Sequence, residues 1–420
     1  MSLFASEYGL QKKTIMKKLF VLLILAAVSL NTMAQRTVLS GTVSNEKTGE
    51  RIAQANISVD NTDVAVVTND DGFFSLKVDQ LPVNITISRL GYRSERLRVQ
   101  ADKIHELDIR LSPKPIALPE VVVWTEDPRE LVNIAIEKIP DNYSQSPELH
   151  KCFYRETAMK RQHYIYVAEG VMDMYKTGYN QGIRRDRVAI IKGRRLLSPK
   201  QSDTLGVKVL GGPMLPVQLD IVKNLDFLLN DEELDNYAFT LLPHATINDR
   251  LQFVVGLTPN TTQPYALFVG KLYIDCETLA FTRAELTLDM SNPAKATLYM
   301  LYKKPLGVRF KPRELSLLVD YKQENGVTRI SYVRNTFRFN CDWKRRLFAT
   351  SFAAFCEMVV TDRTSSDVAP IPGRDSFNSR DTFYDQVEYF LDPDFWEDYN
   401  IIEPTESLDR AIDKLVKKHK

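Results

Sequence analysis

The chain has 420 residues, of which 44% are hydrophobic and 26% charged, and its formal net charge is +1. This ordinary balance excludes a wholly disordered chain and a collagen-like one, and the near-zero charge gives no sign of a nucleic-acid partner. At roughly 100–200 residues per domain, the length predicts two or three domains. The 20 phenylalanines and 18 tyrosines, beside only 17 glycines, favour β-sheets.

Residues 1–34 have the pattern of a secretory signal peptide with an upstream extension. Lys17 and Lys18 precede an apolar run from Leu19 to Leu30, and Ala34 supplies a small residue for cleavage. The run is shorter than the roughly 20 apolar residues that a membrane-spanning helix needs. We therefore expect an exported protein, and an uncleaved membrane anchor is the alternative.

Residues 36–112 predict an antiparallel β-sandwich, because short β runs follow one another at spacings of about 8–12 residues with turn residues between them. One such turn is Asn69-Asp70-Asp71-Gly72. A calcium loop of the EF-hand type would need an acidic residue where Val67 stands. We therefore interpret the acidic cluster as a hairpin turn.

Four motifs stand out in this region: Ser40-Gly41-Thr42-Val43, Ala53-x-Ala55-x-Ile57, Thr68-Asn69-Asp70-Asp71-Gly72-x-Phe74 and Leu90-Gly91-Tyr92. Their order and spacing resemble the carboxypeptidase regulatory-like family, a transthyretin-like sandwich. The resemblance implies an accessory domain without catalytic residues. Peptidase chemistry would need a metal-ligand pattern, and none of the five histidines stands in His-Glu-x-x-His spacing. We expect no metal and no cofactor.

Residues 113–127 predict a proline-rich linker that ends in an extended strand, since three prolines within residues 112–119 stiffen the chain. The segment Leu118-x-Glu120-Val121-Val122-Val123 follows the prolines and resembles the start of outer-membrane TonB-dependent transporters. The resemblance implies that this strand binds a partner by adding to its sheet. The candidate partner-binding residues are Val121, Val122 and Val123. The alternative is a strand packed between the domains, because consecutive valines favour burial.

Residues 128–402 predict a curved antiparallel sheet or half-barrel with a few helices, so the whole chain is predicted to be mainly β. Helices are expected at Pro128–Pro140 and Leu215–Tyr237, where apolar residues recur at helical spacing. A hairpin is expected from Val269 to Leu286. Further strands are expected at Leu298–Tyr302, Leu315–Tyr321, Ile330–Phe339 and Phe352–Val360. Residues 403–420 predict an amphipathic helix that docks on this domain, and a helix lying on a membrane surface is the alternative.

The hairpin sequence from Gly270 to Thr278 is similar to one in LolA-like and LppX-like lipoprotein carriers. Those proteins wrap an incomplete β-barrel around a helix and hold acyl chains, which implies a lipid or other apolar ligand here. By strand alternation, one side of a predicted strand carries the candidate ligand-binding residues Tyr164, Tyr166, Met172 and Met174. The alternative is that these side chains pack in an ordinary core.

The four cysteines allow three complete pairings, and the sequence does not choose among them. A bridge between Cys341 and Cys356 would suit an oxidising compartment. The alternative is a set of buried free thiols.

The sequence contains no nucleophile elbow, phosphate loop or dinucleotide fingerprint. We therefore expect a non-catalytic binding or assembly protein of the cell envelope, in the periplasm or at the periplasmic face of the outer membrane. Its partners would be an apolar ligand or an envelope protein, and no nucleic acid. The alternatives are an interaction subunit of a TonB-linked system, acting through residues 118–124, and a hydrolase without a recognisable motif.

Overall fold

A computed structural model of the chain describes residues 36–101, 106–114, 127–198, 208–209, 211–343, 348–378, 381, 383–389, 395–396 and 399–419. The predicted signal peptide and most of the predicted linker lie outside the described residues. The candidate partner-binding residues Val121, Val122 and Val123 also lie outside them. The bounds predicted for the domains stay predictions.

Two small sheets form the first part of the described chain. Their strands are β1 (Thr37–Asn45), β2 (Asn56–Val59), β3 (Ala65–Val67), β4 (Phe73–Val78), β5 (Val83–Ser88), β6 (Glu95–Val99) and β7 (Leu107–Leu111). One sheet has the order β4-β1-β7 and the other β3-β2-β5-β6. The β1–β7 pair is parallel, whereas the other pairs are antiparallel. Both sheets contribute to one apolar core, for example through Leu39 and Phe74 from the first and Ile57 from the second.

Gly41, in one of the sequence motifs, marks a close approach of β1 to β7. A Cβ atom at this position would lie 2.3 Å from the carbonyl oxygen of Leu107. We expect Gly41→Ala to lower the free energy of unfolding by about 1–3 kcal/mol, because the strands must separate to admit the methyl group. Urea unfolding measures this change. Gly373→Ala is the control because a Cβ there meets open space, and equal losses in both variants would contradict the account.

The rest of the chain is built on one large curved sheet. The remaining strands are β8 (Glu148–Lys160), β9 (His163–Lys176), β10 (Arg187–Leu197), β11 (Lys208–Val209), β12 (Tyr237–Ile247), β13 (Arg250–Pro259), β14 (Phe268–Asp275), β15 (Phe281–Leu288), β16 (Leu301–Lys303), β17 (Val308–Glu324), β18 (Val327–Trp343), β19 (Thr350–Thr364) and β20 (Glu388–Tyr389). The order is β12-β13-β14-β15-β17-β18-β19-β8-β9-β10-β20, and β20 alone runs parallel to its neighbour. The predicted fold class, mainly β with a curved antiparallel sheet, is confirmed.

Helices are few and short. They are α1 (Pro128–Glu137), α2 (Ile139–Asn142), α3 (Leu215–Gln218), α4 (Asp231–Leu234), α5 (Pro293–Met300) and α6 (Glu406–His419). The predicted C-terminal helix is thus present, and Leu408, Ile412 and Leu415 dock it on the sheet. Among the helices of the described ranges, none has both the length and the apolar character required to span a bilayer.

Two sequence predictions about local structure are wrong. The predicted helix Leu215–Tyr237 is broken into α3, a 3₁₀ turn at Leu225–Phe227 and α4. The predicted strand Leu298–Tyr302 is largely helix, because Asn292 caps α5 by accepting hydrogen bonds from two backbone N–H groups and Pro293 follows as the first helical residue.

The large sheet has two packed faces. The inner face, defined here as the one that carries Cys152, Tyr154 and Phe337, belongs to the largest apolar core. The outer face carries Phe153 and Tyr332 and packs against other parts of the chain. Because side chains alternate along a strand, the consecutive residues Phe153 and Tyr154 point to opposite faces of the sheet.

The outer face contacts the sandwich. Arg334 on β18 donates two hydrogen bonds, of 2.7 and 2.9 Å, to the Asp70 carboxylate in the predicted hairpin turn. That turn is closed by the Asn69 side chain, which accepts from the backbone N–H groups of Asp71 and Phe73. The Arg334 guanidinium lowers the pKa of Asp70. The acidic cluster therefore acts as a turn and as an inter-sheet contact.

All four cysteines are buried free thiols. Cys341 on β18 lies opposite Thr350, and Cys356 on β19 lies opposite Asn335. The register therefore separates these two thiols along the paired strands.

Candidate functional site

Part of the inner face of the large sheet is covered by a segment of the same chain, and Phe383 and Val387 from a later stretch pack beside Gly170 and Gly193 of β9 and β10. This covering segment, residues 211–235, contributes to the largest core a set of buried apolar side chains: Leu215, Val217, Leu219, Ile221, Val222, Leu228, Leu229 and Leu234. Its backbone hydrogen bonds close turns inside the segment, such as Leu219 N–H to the Leu215 carbonyl and Leu234 N–H to the Asn230 carbonyl. The segment is thus joined to the sheet mainly through side chains.

A buried ion cluster fixes the middle of the covering segment. It comprises Lys176 at the end of β9, Asp186 before β10, and Asp220 and Lys223 from the segment. Lys176 Nζ donates to Asp220 Oδ2 at 2.7 Å, and Lys223 Nζ donates to Asp186 Oδ1 at 2.7 Å. All four side chains are at most 2% exposed. Buried charges of opposite sign in contact compensate one another's loss of water.

Two tyrosines complete the environment of Asp220. Tyr179 donates to Oδ2 at 3.1 Å and Tyr321, on β17, donates to Oδ1 at 3.0 Å. Burial, followed by the negative charge of Asp220, raises the pKa of both phenols far above their usual range, so they remain donors. Asp220 therefore receives hydrogen bonds on both carboxylate oxygens and links the segment to β9 and β17.

The two lysines of the ion cluster differ in their proton affinity. Burial would lower the pKa of Lys176, but Asp220 and Asp186 outweigh it and the pKa is raised. Burial and the neighbouring Lys176 lower the pKa of Lys223 to about 8. Lys176 is therefore the more firmly charged of the two cations.

A second polar contact holds the beginning of the covering segment. The Gly212 N–H donates to the Tyr154 hydroxyl at 3.0 Å, and that hydroxyl donates to Glu156 Oε2 at 2.9 Å. Tyr166 also donates to the Glu156 carboxylate. The segment is thus attached to β8 at its start and to β9 and β17 at its middle.

The candidate ligand-binding residues divide between two places. Met172 and Met174 are fully buried in the largest core, and Tyr166 packs against the same core. Tyr164 instead packs on the cluster that holds helix α6. The pairing of β8 with β9 shows the cause, because Ala158 lies opposite Tyr166 whereas Met159 lies opposite Tyr164. The residue between the two tyrosines is therefore a β-bulge, and it reverses which face of the sheet the following side chains occupy. Their role as ligand contacts stays a prediction.

A cavity of about 380 Å³ lies beside the ion cluster. Its walls include Ile136 and Ile139 from α1 and α2, Tyr179, and the segment residues Val222 and Lys223. The covering segment therefore borders an open space on the side where its charges are buried.

A second buried ion cluster lies on the outer face. Arg155 Nε donates to Glu169 Oε1 at 2.7 Å, and Arg194 Nε donates to Glu169 Oε2 at 2.8 Å. Burial alone would raise the pKa of Glu169, but the two arginines outweigh it and lower the pKa. Arg155 Nη2 also donates to the Ile402 carbonyl at 2.7 Å, and the Trp396 indole packs edge-on against Phe153. This outer cluster holds the chain that leads to α6.

His150, next to the inner ion cluster, gives the fold a dependence on pH. It is 1% exposed, and its Nε2 contacts Glu148 Oε2 at 3.2 Å. Burial lowers the pKa of His150 and the nearby Lys176 lowers it further, against the raising effect of Glu148. The unfolded chain therefore binds this proton more readily than the folded chain. The stabilising contribution of neutral His150 is fully present above about pH 6.5, and it is lost as the pH falls towards the pKa of His150 in the folded chain.

We expect stability to fall as the pH drops below about 6.5, by at most about 1.4 kcal/mol per pH unit from this one group. His150→Gln should lack this fall, so the stability difference between wild type and variant should shrink between pH 7 and pH 5.5 in urea unfolding. His163→Gln is the control, since His163 is exposed and its variant should follow the wild-type profile. A constant difference between wild type and His150→Gln would refute the assignment.

Sequence reasoning missed both ion clusters. Their members are separated by long stretches of chain: Lys176 and Asp220 lie 44 residues apart, and Arg155 and Ile402 lie 247 apart. The available signal is a charged residue inside an apolar pattern, as where Asp220 interrupts the run around Leu219 and Ile221. Such a charge is costly to bury without a partner, but the sequence does not name the partner. Within the described ranges, no group of His, Cys, Asp and Glu side chains is arranged to hold a metal ion.

Comparison with family models finds one match. Residues 39–123 match the CarboxypepD_reg-like domain, which confirms the resemblance inferred from the sequence motifs. The match leaves the large sheet outside it. A search of curated proteins found no match.

Comparison with solved structures finds proteins that resemble the rest of the chain at low identity. A DUF1329 family protein from Desulfovibrio piger is 10% identical over 58% of this chain and 95% of its own, with a TM-score of 0.26. A LolA superfamily protein from Nitrosomonas europaea is 13% identical over 61% of this chain and 100% of its own, with a TM-score of 0.20. A Vibrio parahaemolyticus domain named for outer membrane lipoprotein sorting is 11% identical over 58% of this chain and 94% of its own, with a TM-score of 0.26.

Proposed function

We propose that the chain is an exported, non-catalytic binding protein of the cell envelope that holds an apolar ligand, such as a lipid acyl chain, on its inner face. One observation carries this proposal: an apolar sheet face is covered by a segment that side chains rather than backbone pairing attach to it. In the unliganded protein the covering segment occupies the place that the ligand would take.

Removal of the covering segment leaves the sheet intact. The ten antiparallel strands pair with one another, whereas the segment's backbone-to-backbone hydrogen bonds are internal and the N–H groups of Gly212 and Val222 donate to tyrosine hydroxyls of the sheet. Elements with few backbone bonds to the rest of the fold open locally at lower free energy than central strands. The segment can therefore leave the sheet as a unit while strands β8, β9 and β17 keep the backbone hydrogen bonds to their neighbouring strands.

We infer that departure of the segment uncovers apolar side chains of the inner face that suit a flexible ligand, while Tyr166 also packs against Tyr384, outside the segment. Met172 and Met174 have unbranched, polarizable side chains that adapt to irregular ligands, and Tyr166 combines an aromatic face with a hydroxyl. We assign these three residues to the ligand site. An apolar ligand replaces the segment only if it binds the open state more tightly than the covered one.

The segment can be locked in place with a natural thiol. A Cβ atom at Gly211 would lie 3.7 Å from the Cys356 Sγ on β19, which allows a disulfide after a small shift. Gly211→Cys should therefore form a bridge to Cys356 under mild oxidation, and mass spectrometry verifies its formation. Gly211→Ser is the matched control, with similar size and no bridge.

The test is a titration with a fluorescent fatty acid, supported by native mass spectrometry of the bound complex. We expect wild type and Gly211→Ser to bind equally, and oxidised Gly211→Cys to bind at least about tenfold more weakly, a difference of about 1.4 kcal/mol. Reduction of the bridge should restore binding. Equal affinity of the oxidised and reduced forms would refute displacement of the segment, and no binding by wild type would refute the proposed function.

A further inference from the structure

Two large apolar side chains are exposed in connections between strands. Leu306, between β16 and β17, is fully exposed, and Phe348, between β18 and β19, is 77% exposed. Single exposed apolar residues are common on protein surfaces. Their placement at one end of the sheet distinguishes this pair.

The strand register brings Leu306 and Phe348 to the same end of the sheet. Leu306 comes two residues before Val308, the first residue of β17, which pairs with Trp343 at the end of β18. Phe348 comes two residues before Thr350, the first residue of β19, which pairs with β18 near the same end. Because β17 and β19 are two strand spacings apart, the starts of these two strands lie about 10 Å from each other.

Basic residues surround these two tips. Lys303, Lys304 and Arg309 flank Leu306 and are exposed. Arg161, in the turn from β8 to β9, is also exposed, and its N–H donates to the Ser351 carbonyl at 3.1 Å, which places this turn beside Phe348. Residues 160–163 and 303–309 contain no acidic residue, and Asp342, opposite Arg309 at the end of β18, is paired with Lys311. The described tips therefore combine exposed apolar groups with positive charge.

The last helix adds charge at the same end. Helix α6 begins where the Glu406 N–H donates to Asp71 of the sandwich at 2.7 Å, and Val416 in its last turns packs on the same small apolar cluster as Tyr164, near the start of β9. Lys414 lies in these turns and is exposed. The helix thus directs its basic half towards the end of the sheet that carries Leu306 and Phe348.

We propose that this end of the sheet docks on a membrane surface that contains anionic phospholipid. The sheet tips would insert Leu306 and Phe348 among the acyl chains while the surrounding lysines and arginines lie at the phosphate level. Apolar insertion and basic residues contribute together to interfacial binding. The sandwich contact at Arg334 lies nine residues from the end of β18, about 30 Å along the strand, so docking leaves the sandwich away from the bilayer.

Vesicle co-sedimentation tests this proposal independently of ligand binding on the inner face. Protein isolated from cells after processing of its N-terminus is mixed with phosphatidylethanolamine–phosphatidylglycerol vesicles or with pure phosphatidylcholine vesicles. We expect binding to the anionic vesicles that weakens as salt is raised from 50 to 500 mM, because salt screens the charges.

The decisive variant is Leu306→Ser combined with Phe348→Ser. We expect its partition coefficient onto anionic vesicles to fall at least about tenfold, since two apolar side chains no longer insert. Leu241→Ser is the matched control, because Leu241 is also partly exposed, at 42%, but lies on the edge strand β12. Equal binding of the double variant and wild type would overturn the proposal, as would equal binding to both vesicle types. All three side chains are solvent-exposed, so thermal unfolding should be unchanged and loss of fold is distinguishable.

Discussion

Lys176→Met is expected to lower the free energy of unfolding by about 3–5 kcal/mol. Methionine retains much of the length and apolar stem of lysine but removes the charge that lies 2.7 Å from Asp220. Asp220 is fully buried. After the substitution its two tyrosine hydrogen bonds remain, and Lys223, which contacts Asp186, is the one cation of the ion cluster for two buried carboxylates. An uncompensated buried carboxylate is among the most destabilising changes a single substitution makes.

Urea unfolding measures this effect, with Lys151→Met as the control. Lys151 lies on the neighbouring strand β8 and is exposed, so its replacement should change stability by no more than about 0.5 kcal/mol. The loss in Lys176→Met should be accompanied by increased hydrogen exchange in residues 211–235, because this ion pair holds the covering segment. A loss below about 1 kcal/mol would mean that the ion cluster does not fix the segment.

Glu169→Gln is expected to have an effect of similar size at the outer cluster, about 3–5 kcal/mol. The amide preserves the shape of the side chain, but Arg155 and Arg194 lose their shared counter-charge while both remain buried. Arg155 also donates to the Ile402 carbonyl. The substitution should therefore loosen the C-terminal chain as well as destabilise the sheet.

Limited proteolysis and urea unfolding together test this expectation. Cleavage in residues 399–405 should become faster in Glu169→Gln than in wild type. The control is Glu277→Gln, since Glu277 is 78% exposed and its pair with Arg250 lies at the surface, where ion pairs contribute at most about 1 kcal/mol. If both variants had the same stability and cleavage rate, the outer cluster would have no structural role.

The sequence predicts the strands well because their signal is local. The hairpin from β14 to β15 appears at the predicted place, where Asp275 accepts hydrogen bonds from the Glu277 and Thr278 N–H groups and closes the turn. The backbone structure of the covering segment is harder to predict, because an apolar spacing that fits a helix also fits a series of short turns packed on an apolar face. Its predicted stripe is indeed buried, for example at Leu219 and Leu228, although the backbone is not a continuous helix.

The candidate site is only partly accessible to sequence reasoning. Strand alternation correctly predicts that Met172 and Met174 share one face. A bulge between Tyr164 and Tyr166 places Tyr164 on the cluster that holds helix α6 instead. A bulge has no reliable pattern in a single sequence, so this change of face could not be predicted. The ion clusters depend on pairing between distant parts of the chain, which local patterns do not encode.

Hydrogen–deuterium exchange of residues 211–235, with and without a saturating fatty acid, tests most directly whether the covering segment gives way to ligand. We predict that the fatty acid raises exchange throughout this segment while strands β8, β17 and β18 stay protected. Unchanged or slower exchange in the segment, with the fatty acid demonstrably bound, would contradict the account.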